Sequence, residues 1–243
     1  MRRGLELDPK PIWTGALLDL FDLMTIDPGL VRTNLSRLVA NGTLLRTRQG
    51  RNTFYSLSDK ERLAFTLAAE VIYGRLPLVP TGQITMVSVD ACADRVESRV
   101  FLQEQGFKFI GPSTGLLPAY ENLAPPLREA ALYAIATPSP WLAESVRTLW
   151  DIDHLGALYR QFLETYEPLA HATDISPQDA VVGRVILTHE YRRIVLRDPC
   201  LPAALLPADW PAGKAREVFD HLTARLETGS EHWLAQTSFR KVA

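Results

Sequence analysis

The sequence is poor in cysteine and has no long apolar segment. Its two cysteines, Cys92 and Cys200, lie far apart, so they predict neither a disulfide framework nor a zinc site. It has no run of about 18 apolar residues, so it predicts no membrane-spanning helix. The start, MRRGLELDPKP, lacks the apolar core of a signal peptide. With 47% hydrophobic residues in 243, the chain can bury substantial cores, and we expect a soluble, cytoplasmic protein.

Motifs that bind cofactors or metals are also missing. The chain contains no G-x-x-x-x-G-K-[ST], no G-x-G-x-x-G and no paired Cys/His ligand set. HEYRR, residues 189–193, is not the metalloprotease pattern H-E-x-x-H, because its fifth residue is an arginine. We therefore expect neither a cofactor nor a metal.

One segment does match a catalytic pattern. GPSTG, residues 111–115, fits the G-x-S-x-G signature of serine hydrolases, which requires a strand, a sharp turn and then a helix. Ser113 instead follows a proline and precedes a predicted strand, which favours a hairpin turn. Histidines later in the chain, such as His154, keep a catalytic serine open, but we expect no enzymatic activity.

Acidic residues are missing from one stretch of the chain. Between Pro28 and Ser58 there is no Asp or Glu, although five arginines fall there. The net charge of −2 combines +3 over residues 1–76 with −5 over the rest. A local basic face in a mildly acidic protein favours contact with a polyanion. Charge alone fits a solvated basic surface equally well.

The first part of this stretch predicts two helices. PIWTGALLDLFDLM has an apolar stripe at helical spacing. DPGLVRTNLSRLVANG has Asp27 as N-cap, Pro28 at the first helical position and Gly42 beyond its end. The stripe of the first helix consists of Ile12, Ala16, Leu17, Leu20 and Leu23, and that of the second of Val31, Leu35, Leu38 and Val39.

The opposite face of the second helix is polar and basic. Arginine can bond a guanine through two hydrogen bonds, and hydroxyl groups hold phosphates. This face therefore predicts contacts with DNA through Arg32, Thr33, Asn34, Ser36 and Arg37.

A basic hairpin is predicted next, from TLLRTRQGRNTFYSLS. A strand begins at Leu44, RTRQGRN forms a turn, and TFYSL alternates as a second strand. Two helices followed by a basic hairpin is the order of a winged helix-turn-helix, whose second helix enters the major groove while the wing touches the backbone. The predicted wing contacts are Arg46, Arg48, Gln49, Arg51, Asn52, Thr53 and Tyr55.

The middle of the chain predicts a smaller α+β domain. DKERLAFTLAAEVIYGRL reads as a connecting helix, and PLVPTG as a linker. The segments after it read as β-α-β-β-α-β, with PPLREAA as the second helix, which is the ferredoxin-like arrangement. Asp90 and Asp94 keep a metal-dependent nuclease open as an alternative, although a turn acid and a helix cap fit them better. The inward residues of the connecting helix are predicted as Leu63, Leu67, Val71 and Ile72.

The remainder of the chain predicts only helices. One begins at Ser176-Pro177 and must end before Asp198-Pro199, and the last, KAREVFDHLTARLE, is predicted to stop at Gly229. HEYRR reads either as a basic helix end that suits the macrodipole or as part of an anion or acyl-CoA pocket. The residues predicted for such a pocket are His189, Tyr191, Arg192, Arg193, Arg197 and Trp210.

Several segments together resemble the PaaX family of phenylacetate-catabolon repressors. They are IWTGAL, VRTNLSRLVANGTL, GRNTFYSLSDK, EQGFKFIGPSTGLLP, LWDIDHLGALYRQFLETYEPL and HEYRRIVLRDPCLPAALLPADWPAGKAREVF. The chain departs from the family in lacking a helix ahead of Ile12, in having Asn52 in the wing, and in lacking a tryptophan in ITMVSV.

The resemblance implies an α+β multidomain protein. Residues 1–76 would form a winged-helix DNA-binding domain, residues 77–140 a ferredoxin-like domain, and residues 141–243 a helical domain for effector binding and dimerisation. It also implies a homodimer that binds a partly palindromic operator and is released by phenylacetyl-CoA. A regulator of a related catabolic operon with another ligand remains an alternative.

Overall fold

The computed structural model describes residues 11–74, 80–121, 132–137, 139–171 and 174–236. Over these residues the protein is a mixed α+β structure with eight α-helices and two antiparallel sheets, which confirms the α+β class. None of the helices within the described ranges has both the length and the apolarity needed to span a bilayer.

The first sheet has three strands in the order β1-β3-β2. A short strand opens the described chain, two helices follow it, and a hairpin and a third helix come next. The elements are β1 (Ile12–Trp13), α1 (Thr14–Leu23), α2 (Pro28–Ala40), β2 (Leu44–Gln49), β3 (Asn52–Leu57) and α3 (Asp59–Ile72).

The prediction that Ile12 belongs to the first helix is wrong. Ile12 pairs with Tyr55 and Trp13 with Phe54 in an antiparallel ladder, and α1 starts only at Thr14. The Thr14 hydroxyl donates to the carbonyl of Thr53 at 2.8 Å. This pairing joins residues about 40 positions apart, so local periodicity could not predict it. It fixes the hairpin to the start of α1.

Three predicted inward leucines are exposed in the structure. Leu38 on α2 is 39% exposed, and Leu63 and Leu67 on α3 are 66% and 52% exposed, whereas Ile72 is buried. Their prediction as buried residues is therefore wrong. Helical spacing identifies an apolar stripe but does not show how much of that stripe another element covers.

The second sheet has four strands in the order β5-β6-β4-β7, all antiparallel to their neighbours. Its first strand begins at Pro80, inside the predicted linker, and the predicted helix PPLREAA lies outside the described residues. The elements are β4 (Pro80–Ser88), α4 (Arg95–Glu104), β5 (Lys108–Ile110), β6 (Thr114–Tyr120) and β7 (Leu132–Ala136).

Four helices and two 3-10 turns complete the described chain. The prediction that the last helix stops at Gly229 is wrong, because that helix continues to Gln236. A Cβ at Gly229 would lie 2.7 Å from Cβ of Ala180, so glycine there permits two helices to approach closely. The elements are α5 (Pro140–Leu149), α6 (Ile152–Tyr166), a 3-10 turn (Glu167–His171), α7 (Pro177–Val195), a 3-10 turn (Ala203–Leu205) and α8 (Ala212–Gln236).

These elements divide into two compact units, each assembled from separate stretches of sequence. The first unit comprises residues 1–73, 166–192 and 217–243, and the second comprises residues 74–165 and 193–216. Most of α7 and α8 therefore belongs to the same unit as the N-terminal sheet. The division into domains 1–76, 77–140 and 141–243 stays a prediction.

The second unit contains two clusters of buried apolar side chains. One includes Val87, Leu102 and Phe107, where the sheet meets α4. The other joins Ile84 and Leu116 of the sheet to residues of α5, α6 and the segment after α7. Burial of these large side chains is the main favourable term that holds the sheet to its helices.

Candidate nucleic-acid interface

Helix α2 has well-defined ends and one buried side. The carboxylate of Asp27 accepts a hydrogen bond from the backbone N–H of Leu30 at 2.9 Å, and Pro28 occupies the first turn. Val31 and Leu35 are buried. The helix is thus capped as predicted and packs through Val31 and Leu35, which leaves its opposite face available to another molecule.

That opposite face carries five exposed polar residues, and three of them bond to their own helix. The Thr33 hydroxyl donates to the carbonyl of Gly29, the Asn34 amide to Leu30, and the Ser36 hydroxyl to Arg32, at 2.8–2.9 Å. Such back-bonds occupy donors but leave the hydroxyl oxygens able to accept. The free positive charge of this face lies on Arg32 and Arg37, which are both exposed.

The hairpin formed by β2 and β3, called here the basic hairpin (residues 44–57), is tighter than predicted. Gln49 pairs with Asn52, so only Gly50 and Arg51 form the turn. Gly50 has a φ of +58°, and glycine at the first position of a two-residue turn suits this geometry. The predicted seven-residue turn is therefore wrong, and most of that segment is strand.

Register places Arg46 and Arg48 of the basic hairpin on one face. Arg46 lies opposite Tyr55 and Arg48 opposite Thr53, and residues two apart on a strand share a side of the sheet. Phe54, which points to the other side, is 3% exposed. One face of the hairpin is therefore anchored in the unit and the other carries the charge.

The positive charge of α2 and the basic hairpin is not neutralised by acidic side chains in the described part of the chain. Among the residues that the structure describes, none of the five arginines has a carboxylate within ion-pair distance. Each one is also exposed, so the surface can accept an anionic partner without first breaking an ion pair. The arginines are Arg32, Arg37, Arg46, Arg48 and Arg51.

The residues predicted for an effector pocket fall in both units. His189, Tyr191 and Arg192 belong to the first unit, and Arg193, Arg197 and Trp210 to the second.

Within the first unit, His189 and Arg192 line a cleft of about 500 Å³ along α7, called here the α7 cleft. Tyr191 does not line it: its buried ring stacks on Phe219 with centroids 4.1 Å apart.

In the second unit, Trp210 packs on the core. Its indole meets the ring of Tyr159 edge-on, with centroids 5.8 Å apart, and it lies against the apolar cluster of α5 and α6. Arg193 and Arg197 are exposed. The geometry thus gives Trp210 a packing role, and its contact with an effector stays a prediction.

A largely buried carboxylate, that of Asp198, organises the loop after α7. One of its oxygens accepts from the Tyr159 hydroxyl at 2.8 Å and the other from the backbone N–H of Cys200 at 2.7 Å. Burial raises the pKa of Asp198, and these two hydrogen bonds oppose that rise. Cys200 has a φ of +47°, a conformation that non-glycine residues adopt at a cost. We call these residues the Asp198 loop (residues 198–200).

The acids and the serine singled out as possible catalytic groups have structural positions. Asp94 caps α4 by accepting from the N–H of Glu97 at 2.8 Å, and Asp90 bonds with Ser88 at 3.3 Å. Ser113 lies in the turn between β5 and β6, which confirms the hairpin turn. Over the described residues, no group of three or more His, Cys, Asp or Glu side chains could hold a metal ion.

Comparisons with known proteins identify the family. A model of the family described as "PaaX-like protein" matches residues 4–61, and one described as "PaaX-like protein C-terminal domain" matches residues 150–236. The chain is 30% identical over 237 residues to the transcriptional repressor PaaX of Escherichia coli (strain K12), covering 88% of this chain and 74% of that protein.

A solved structure also shares the fold. The structure of an uncharacterised protein from Mycobacterium tuberculosis is 23% identical, covers 94% of each chain and has a TM-score of 0.56.

The relative from E. coli is a transcriptional repressor. The chain belongs to the PaaX family. This confirms the family predicted from the sequence.

Proposed function

We propose that this protein is a transcriptional repressor that binds operator DNA through α2 and the basic hairpin. The observation that carries the proposal is a set of five exposed arginines on these two adjacent elements, none of which lies within ion-pair distance of a carboxylate in the described part of the chain. The E. coli relative is a transcriptional repressor, which supports the same role. The role is regulatory and not enzymatic, and it would be carried out in the cytoplasm.

The proposed binding module is a winged helix-turn-helix. The order α1, α2, basic hairpin and the three-stranded sheet support it. The 13 residues of α2 span about 20 Å, enough to lie in a major groove. Arg32 and Arg37 would contact bases, while Arg46, Arg48 and Arg51 would hold phosphates as the wing.

The rest of the chain would serve assembly and regulation. The strand order β5-β6-β4-β7 and the helix between β4 and β5 support a ferredoxin-like domain. The helical region would carry dimerisation, so that a homodimer presents two reading helices to a partly palindromic operator. Half-sites one helical turn apart, about 34 Å, would match such a dimer.

The proposed effector is phenylacetyl-CoA or a related acyl-CoA. It would bind the form of the dimer whose two reading helices are mis-spaced and so lower operator occupancy. The cationic residues of HEYRR support an anionic effector. A regulator of a related catabolic operon would use the same mechanism with another ligand.

Operator binding can be tested by fluorescence anisotropy with DNA from the intergenic regions that flank the gene. We expect Arg32→Ala and Arg37→Ala each to weaken specific binding by about 1–3 kcal/mol if they contact base edges. Arg147→Ala is the matched control, because Arg147 is an exposed residue of α5 in the other unit. Wild-type affinity in both α2 variants would contradict the assignment of α2.

A further inference from the structure

Leu30 is an apolar residue among the exposed polar residues of α2. Its side chain is 55% exposed, and it is the third residue of the helix, which begins at Pro28. Single exposed leucines are common on protein surfaces and need no special explanation. Leu30 differs from them in its position, because the first turn of the second helix in a helix-turn-helix is the part that contacts base edges.

The residues that neighbour Leu30 on the helix surface are polar. Thr33, Asn34 and Arg37 follow it at spacings of three, four and seven residues, which places them on the same side of α2. The Thr33 hydroxyl donates to the carbonyl of Gly29 at 2.8 Å. The Asn34 amide donates to the carbonyl of Leu30 itself at 2.9 Å. Two of these side chains therefore bond back to the helix, and the Leu30 side chain stays more than half exposed beside them.

The start of α2 holds Leu30 in a fixed position. The Asp27 carboxylate accepts its hydrogen bond from the backbone N–H of Leu30 at 2.9 Å, so the cap acts on this residue directly. A Cβ at Gly29 would lie 2.9 Å from Oδ1 of Asp27. Glycine at that position therefore leaves the cap unobstructed and places no side chain next to Leu30. An apolar group on a turn that is already ordered loses little further freedom when it binds.

The chemistry of leucine favours one group in the major groove. Most base-edge atoms there are hydrogen-bond donors or acceptors, and an apolar side chain placed against them would displace water without offering a bond in return. The exception is the C5-methyl group of thymine, which apolar side chains contact. Cytosine has no such methyl group and presents an amino donor in its place. An exposed leucine on a reading helix can therefore distinguish thymine from cytosine.

We propose that Leu30 contacts the C5-methyl group of a thymine in the operator and so selects thymine at that position. The charge of the same helix favours DNA as the partner of this side, because Arg32 and Arg37 are exposed and, in the described ranges, have no carboxylate within ion-pair distance. This inference rests on the proposed function and adds to it a residue that reads a base without a hydrogen bond.

The test compares operator DNA that contains thymine with the same duplex containing deoxyuridine, which lacks only the C5-methyl group. The probe is the shortest duplex from the flanking intergenic regions that the wild type binds with full affinity in the presence of non-specific competitor DNA. Deoxyuridine replaces one thymine at a time, and fluorescence anisotropy measures the affinity. For the wild type we expect one such replacement to weaken binding about fourfold, the factor that corresponds to one buried methyl group.

Variants then assign that effect to Leu30. Leu30→Ala should bind the thymine and deoxyuridine duplexes with equal affinity, because it no longer reaches the methyl group. Leu30→Met, which keeps an apolar side chain of similar size, should retain the difference. Leu63→Ala removes an exposed leucine of α3 and is the matched control, so it should also retain the difference. All three variants should melt at the temperature of the wild type, because the substituted side chains are exposed.

Three results would overturn this role of Leu30. Deoxyuridine could leave the wild-type affinity unchanged at every position, or Leu30→Ala could keep the wild-type difference between the two duplexes. Leu30→Ala could also change the sedimentation mass of the DNA-free protein, which would assign Leu30 to a contact between two copies of the chain. Each of these results leaves operator binding itself intact. Failure of the wild type to bind any flanking duplex would contradict the proposed function together with this inference.

Discussion

The basic surface of α2 and the hairpin differs from the Asp198 loop in how its charged groups are exposed and paired. The first unit exposes arginines that have no acidic partner in the described part of the chain. The second unit withdraws one carboxylate from solvent and gives both its oxygens hydrogen-bond donors. A satisfied buried charge fixes local structure, whereas unpaired exposed charges contribute little to stability. The basic surface therefore suits binding of a partner, whereas the Asp198 loop suits stabilisation of the fold.

The largest expected effect on stability is that of Asp198→Ala. It leaves the Tyr159 hydroxyl and the Cys200 N–H without their acceptor and releases a loop whose backbone is strained at Cys200. Hydrogen bonds to a charged group contribute about 1.5–3 kcal/mol each, and relief of the buried charge offsets part of that. We expect the free energy of unfolding in urea to fall by about 2–4 kcal/mol. Asp153→Ala, an exposed acid on α6, should change it by less than about 0.5 kcal/mol.

The difference in unfolding free energy between wild type and Asp198→Ala should depend on pH. Burial raises the pKa of Asp198 in the folded protein, so the folded chain holds a proton in a range where the unfolded chain has lost it. Stability from this group is therefore greatest below the unfolded pKa and falls as the pH rises through the folded pKa. The stability difference between wild type and Asp198→Ala should be larger at pH 4 than at pH 8. An equal difference at both pH values would contradict the raised pKa.

Substitution of the α2 arginines should affect DNA binding and leave stability almost unchanged, the reverse of Asp198→Ala. The double variant Arg32→Ala/Arg37→Ala should lose operator binding by about 2–6 kcal/mol if its two contacts are independent. Its free energy of unfolding should stay within about 0.5 kcal/mol of wild type, because both side chains are exposed. Anisotropy and urea unfolding on the same preparation measure the two quantities. A matching loss of stability would assign these arginines to folding instead.

A smaller effect is expected for Arg48 of the basic hairpin. Its Nε donates to the carbonyl of Gly50 at 3.2 Å, which orients its guanidinium at the hairpin tip. Arg48→Ala should weaken binding to every DNA sequence by a similar factor and lower the salt slope by about 1, as expected for one lost phosphate contact. Titrations over a range of salt concentrations measure this slope. Weakening of operator binding alone would instead indicate that Arg48 contacts a base.

The sequence predicted local features of these regions well and long-range features poorly. Asp27, Pro28 and the exposed arginines of α2 could be predicted because capping and helical spacing depend on near neighbours. The Ile12–Tyr55 pairing, the bond from Arg184 to Ser230 and the hydrogen bonds of Asp198 join residues far apart in sequence. The spacing of Val181, Arg184, Val185, Thr188 and Arg192 on α7 was a local signal that could have indicated the cleft face.

The Asp198 loop also predicts the reactivity of a thiol. Burial, and then the charge of Asp198, raise the pKa of Cys200 to about 12, opposed by Arg216, so the thiol is protonated at neutral pH. Because thiolate is the reactive form, iodoacetamide at pH 8 should label Cys200 about 1,000-fold more slowly in the native protein than in urea. Peptide mass spectrometry reports Cys200 and Cys92 in the same digest, so Cys92 is an internal reference. Asp198→Ala should raise the native labelling rate, because it opens the loop that keeps water from the sulfur. Rapid labelling of Cys200 in the wild type would show that the loop is open, and the contrast between a buried, satisfied charge and an exposed, unpaired one would then not hold.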